Sequence, residues 1–79
     1  MKSIAKWLTE NGFVFRQVTM VTEDGLKACL TVDTNYDGMY PKAKTFDDHD
    51  MIRKRVSRYH KSLTTEPRGY YTAILIMEA

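Results

Sequence analysis

The spacing of apolar residues changes period along the chain, and each change marks an element. Ile4, Trp7, Leu8 and Asn11 follow Ser3 at i, i+3, i+4 and i+7, the spacing of one helical face, with Ser3 as an N-cap and Asn11-Gly12 as a left-handed stop. This predicts a short helix over about residues 4 to 11. From Phe13 the period becomes two: "FVFRQVTMVT" and "LKACLTVDT" flank "EDG", which reads as a β-hairpin. A two-residue Asp24-Gly25 loop would set Gln17 and Thr19 opposite Val32 and Leu30. A three-residue Glu23-Asp24-Gly25 loop instead pairs Met20 with Ala28 and Val18 with Leu30. It gathers more apolar area on one face and is the expected register, with Gly25 at the αL bulge.

Residues 35 to 44, "NYDGMYPKAK", carry turn chemistry and a proline and read as loop. Thr45 and Asp48 form a T-x-x-D capping box ahead of a second helix, whose Ile52, Val56, Tyr59 and Leu63 share one stripe. "TTEPRG" ends that helix, and "YYTAILIM" is β-branched and aromatic enough for a final strand. The expected fold is α+β, one domain over residues 1–79 in α-β-β-α-β order, with a three-stranded antiparallel sheet of order 2-1-3. Both helices cover one face. The last strand is apolar on both sides, with Tyr71, Ala73, Leu75 and Met77 on one and Tyr70, Thr72, Ile74 and Ile76 on the other. At a sheet edge such a strand needs cover, so a homodimer or partner contact is expected, through the face of Ile74 and Ile76 or through the edge itself.

Composition narrows the class. At 79 residues, with 43% apolar and 28% charged positions, the chain has the balance of a small folded domain and not of a disordered segment. A single cysteine, Cys29, cannot form an internal disulfide, and "MKSIAKWLTENGF" turns polar before any signal-peptide core develops. The longest apolar run, Ala73 to Met77, is too short to span a bilayer. A cytoplasmic setting follows as the expectation. Net charge is only +2, so a polyanionic partner has to be argued from local clustering.

That clustering is found in "TFDDHDMIRKRVSRYHKSL", residues 45 to 63. With the Ile52, Val56, Tyr59 and Leu63 stripe inward, Lys54, Arg58 and Lys61 project outward and Arg53 and Arg55 flank the core edge, while Arg68 could extend the surface. Guanidinium and ammonium groups so grouped suit phosphates or an acidic protein patch. Tyr36, Tyr40, Tyr70 and Tyr71 add aromatic surface able to stack bases or line a protein interface. Acids early in the helix and bases later also complement its dipole, and Asp50 can pair with Lys54 at i+4.

Metal and catalytic readings find less. In "DDHD" only Asp47 and Asp50 share a helical face, and His49 and His60 lie about 16 Å apart along a helix. "DTNYDG", residues 33 to 38, opens like a calcium loop, but the closing position is Lys44 and position nine is Pro41. Asp47 or Asp48 would have to fold back to complete such a shell. No metal or cofactor is expected. Ser3, Ser57 and Ser62 have no triad spacing, Cys29 falls on the polar face of its strand without a base, and there is no glycine-rich phosphate loop. The opening "IAKWLTENGFVFRQV" resembles the first helix, Gly-Phe and strand of HicA-type toxins, small double-stranded-RNA-binding-like mRNA interferases. Those continue with Gly-Ser-His carrying the catalytic histidine, where this chain has Thr19-Met20-Val21. Neither activity nor sites carry over. The reading is a non-enzymatic binding protein that contacts nucleic acid, or a nucleic-acid-handling complex, through Lys54, Arg55, Arg58, Lys61 and Arg68. The alternative is a stoichiometric protein inhibitor or adaptor, of the kind mobile elements encode, that occludes a partner surface.

Overall fold

A computed structural model describes residues 1–34, 43–69 and 72–79, the side chains of 43–46 excepted. The order is α1 (Lys2–Glu10), β1 (Phe15–Thr22), β2 (Gly25–Asp33), α2 (Ala43–Tyr59), β3 (Leu63–Arg68) and β4 (Ala73–Glu78). The class is α+β, but the sheet has four antiparallel strands in the order β1-β2-β4-β3, not three. The added strand is "LTTEPR", expected as the end of a helix. With β3 outside it, β4 lies between two neighbours and is not an edge.

The core explains both helices. Ile4 and Leu8 of α1, Ile52 and Val56 of α2, Leu30 and Val32 of β2, and Ile74 and Ile76 of β4 form one buried cluster. The four strand residues are cross-strand partners, Leu30 with Ile76 and Val32 with Ile74, so they share the face that both helices cover. Ile74 and Ile76, expected at an oligomer interface, are therefore fully buried within the chain, and the edge argument that placed them there no longer applies. The opposite face of β4 carries Leu75, only 4% exposed, beside fully buried Cys29 of β2. The strand is thus buried on both sides, as its composition requires. Cys29 is not on a polar face.

Local signals account for the ends. Helix α1 starts after Met1, so Ser3 lies inside it and does not cap it. It stops at Gly12, whose φ of 77° is the left-handed conformation a Cβ disfavours. Phe13 N–H donates to Leu8 O at 3.0 Å and Gly12 N–H to Thr9 O at 3.1 Å, a Schellman motif sealed by Phe13 packing on Trp7 with ring centroids 5.9 Å apart. Helix α2 starts at Ala43, two residues before the expected cap Thr45, and its buried stripe ends at Val56. Tyr59 is 58% exposed, and Leu63 belongs to β3, where it packs against the core. The rest of the expected loop, residues 35–42, lies outside the described residues.

The β1–β2 register is one residue from the expected one. Thr22 pairs with Gly25 across a two-residue Glu23-Asp24 turn, Val18 with Cys29, and Phe15 with Val32. The expected register counted apolar residues near the turn, but the helices cover the other end of the hairpin. Placing Phe15 beside Val32 keeps Arg16 off the core.

Edge strand β3 is protected. Ala79 N–H donates to Ser62 O at 2.9 Å, so even-numbered residues of β3 face β4 and Leu63, Thr65 and Pro67 turn their backbone groups outward. Leu63 N–H is taken by His60 O at 2.9 Å, and Pro67 has no N–H to offer. No helix among the described residues is long and apolar enough to cross a membrane.

Candidate nucleic-acid interface

Because Ile52 and Val56 point into the core, positions 53, 54, 57 and 58 are exposed on α2. They overlook β3. Arg53, Lys54, Ser57, Arg58 and Thr65 line a shallow cleft of about 530 Å³. An adjoining cleft of about 370 Å³ shares Arg53, Ser57 and Thr65 and adds Lys61 from the turn after the helix. Four cationic residues and three hydroxyl-bearing ones, Ser57, Thr64 and Thr65, thus line the two adjoining clefts, the Thr64 hydroxyl donating to Met77 O, and no carboxylate is among their described lining residues. Asp50 takes Arg53 at i+3, not Lys54 at i+4, which leaves the Lys54 ammonium to the cleft. That Asp50–Arg53 pair is about half exposed on each side and contributes little to stability.

Two of the five expected contact residues are elsewhere. Arg55 turns toward α1: its guanidinium lies 4.2 Å from the centroid of the Tyr59 ring and 5.5 Å from that of Trp7. The pull is the electron-rich face of two aromatic rings, one of them from a helix 48 positions earlier in the chain. Arg68 lies on the other side of the sheet. It pairs with Ala73, one residue off the core-facing Pro67–Ile74 pair, and it holds Glu66 at 3.1 Å. Sequence periodicity thus put Lys54, Arg58 and Lys61 on the outward side, where they line the clefts, and Arg53 at the core edge, where the structure exposes it, and it did not bring Ser57 or Thr65 to this surface. The β3 hydroxyl became visible only with the fourth strand.

The histidines serve separate places. His49 is 4% exposed, and its Nε2 lies 2.8 Å from Thr34 Oγ1, tying the early part of α2 to the end of β2. His60 follows α2; its N–H donates to Val56 O at 2.8 Å. Burial first, then the Arg55 and N-terminal charges, hold the His60 imidazole below its ordinary pKa. Its Nε2 and the Arg55 Nε are buried without a hydrogen-bond partner among the described residues.

Asp33 and Asp48 both line a cleft of about 400 Å³ with Asn11 and Gly12. Among the described residues no three His, Cys, Asp or Glu side chains group closely enough to hold a metal. Residues 35–38 of "DTNYDG", and Tyr36, Tyr40, Tyr70 and Tyr71, lie outside the described residues. Cys29 Sγ–H donates to Lys27 O at 3.6 Å and is buried away from solvent. No protein-family model, curated protein or solved structure matches the chain.

Proposed function

We propose that the chain is a non-enzymatic binding protein that holds nucleic-acid phosphates in the groove between α2 and β3. The observation that carries this reading is the lining itself: Lys54, Arg58 and Lys61, together with Arg53, which also pairs with Asp50, the Ser57 and Thr65 hydroxyls, and no carboxylate among the described lining residues. Arg offers two parallel N–H donors to phosphate oxygens, Lys a point charge, and the hydroxyls a neutral donor between them. Binding of this kind is driven by counterion release and depends steeply on salt. Arg55 and Arg68, engaged with aromatic rings and with Glu66, stand outside the interface.

The test is a folded variant with Lys54, Arg58 and Lys61 all changed to Gln, titrated against labelled single-stranded and duplex oligonucleotides over a range of salt. Each lost phosphate contact lowers the slope of log Kobs against log[salt] by about 0.7 for single strands and about 0.9 for duplex. The triple variant should therefore lose roughly 2–3 units of slope. Unchanged binding in that variant would remove the groove from the interface. Failure of the unmodified chain to bind either oligonucleotide at low salt would leave an acidic protein surface as the groove's partner, the occluding-inhibitor reading.

A further inference from the structure

The two edges of the sheet are built differently. Asp33 N–H donates to Val14 O at 2.8 Å, and Thr34 N–H to Thr72 O at 2.9 Å. Both backbone groups of a residue in an antiparallel ladder point toward the same neighbour, so even-numbered residues of β1 face β2. Phe15, Gln17, Thr19 and Val21 then turn their N–H and C=O groups outward along the edge of the sheet. Unlike β3, this strand has no proline, and Arg16 is its only charged residue. Its far end is apolar and uncovered: Val21 is 82% exposed and its cross-strand neighbour Leu26 72%. An eight-residue edge of this kind is a template for another strand.

We propose that β1 pairs antiparallel with β1 of a second copy of this chain, about a two-fold axis through Val18. The strand is complementary to itself in that register. Phe15 meets Val21 of the second copy and Gln17 meets Thr19 on the helix-covered side, while Val18 meets its own counterpart and Arg16 meets Met20 on the other. Every outward backbone group finds a partner, apolar side chains meet apolar ones, and no two like charges are opposed. Sliding the strands by two residues leaves an outward residue unpaired at an end, and a slide that sets Arg16 against Arg16 opposes like charges. The contact is isologous, so one strand supplies both halves of it.

Sedimentation and hydrogen exchange test this together. At high micromolar concentration the unmodified chain should sediment as a dimer, and dilution should dissociate it. Where nine chains in ten are paired, the amides of Phe15, Gln17, Thr19 and Val21 should exchange about tenfold more slowly than in the dilute sample, since only the unpaired tenth exposes them. Thr19→Pro removes an outward N–H and no bond to β2, and edge strands tolerate proline at such positions. Val21→Lys, at an exposed position, is a second variant with no backbone demand. Both should keep the far-ultraviolet circular dichroism of the parent and sediment as monomers. A monomeric parent at high micromolar concentration, a dimer whose outward β1 amides stay unprotected, or a dimer that persists in a folded variant would each overturn the proposal.

Discussion

Arg55 and Arg58 stand on the same helix but in different surroundings, so two single substitutions separate packing from the proposed binding. The Arg55 guanidinium is held between the rings of Tyr59 and Trp7, at 4.2 and 5.5 Å from their centroids. A cation–π contact at a partly exposed site contributes about 0.5–1 kcal/mol, so Arg55→Gln should cost about 1–2 kcal/mol from both rings. Unfolding entropy scales as about 2.1 cal/mol/K per residue, which for this chain converts each kcal/mol into roughly 6 °C. Arg55→Gln should therefore melt about 6–12 °C lower. Arg58 approaches only the Tyr59 ring, at 5.5 Å, and lines the groove, so Arg58→Gln should lower the melting temperature by no more than about 6 °C. The order reverses in binding. Oligonucleotide anisotropy at several salt concentrations should show a slope reduced by about 0.7–0.9 for Arg58→Gln and unchanged for Arg55→Gln. If Arg55→Gln flattened the salt dependence as much as Arg58→Gln and left the melting temperature in place, the guanidinium would belong to the groove and the aromatic clamp would be wrong.

Ile74 is fully buried between Val32 and Pro67 in the ladder. Ile74→Ala should cost about 2–5 kcal/mol in thermal melts, a large part of the roughly 4–12 kcal/mol available to a domain of this size. Ile74→Lys should give no cooperative transition, and a folded Ile74→Lys variant would mean that β4 turns its other face to the helices. His60 should add to the acid sensitivity of the fold. Its folded-state pKa lies below the ordinary value, from burial first and then from the Arg55 and N-terminal charges, so the unfolded imidazole takes up its proton first as pH falls. Stability should drop below about pH 6.5 and level off beneath the lower folded pKa. His60→Gln should flatten that part of the melting-temperature profile, and an identical profile in the variant would show that other groups carry the acid sensitivity.

Much of this architecture is written in local pattern. The i, i+4 spacing of Ile52 and Val56 gives α2 its inward stripe, the period-two runs either side of "EDG" give the hairpin, and "AILIM" gives β4. Strand β3 escapes because an edge strand is selected to look unlike a strand: Glu66, Pro67 and Arg68 deter further pairing and read as loop. Losing one strand moved β4 to an edge and turned a doubly buried strand into an apparent interface. The groove was half legible for a related reason. Periodicity fixes which side of α2 faces out, and so finds Lys54 and Arg58, but of the two rings that draw Arg55 away, only Tyr59 lies on the same helix, and Trp7 comes from the first helix. The side of the sheet to which Arg68 belongs depends on a strand pairing that no single segment encodes.

Pro67 and the engaged N–H of Leu63 reach beyond the monomer, because they decide how far any strand-by-strand growth can go. If two chains join through β1, the outermost strand at either end of the combined sheet is β3, where Pro67 has no N–H and that of Leu63 is already bonded to His60 O. Thr65 alone is left with an outward N–H there. A third chain would find no comparable edge. Unlike ends of this kind turn an open-ended polymerisation into a closed count of two, the difference between a soluble dimer and a fibre.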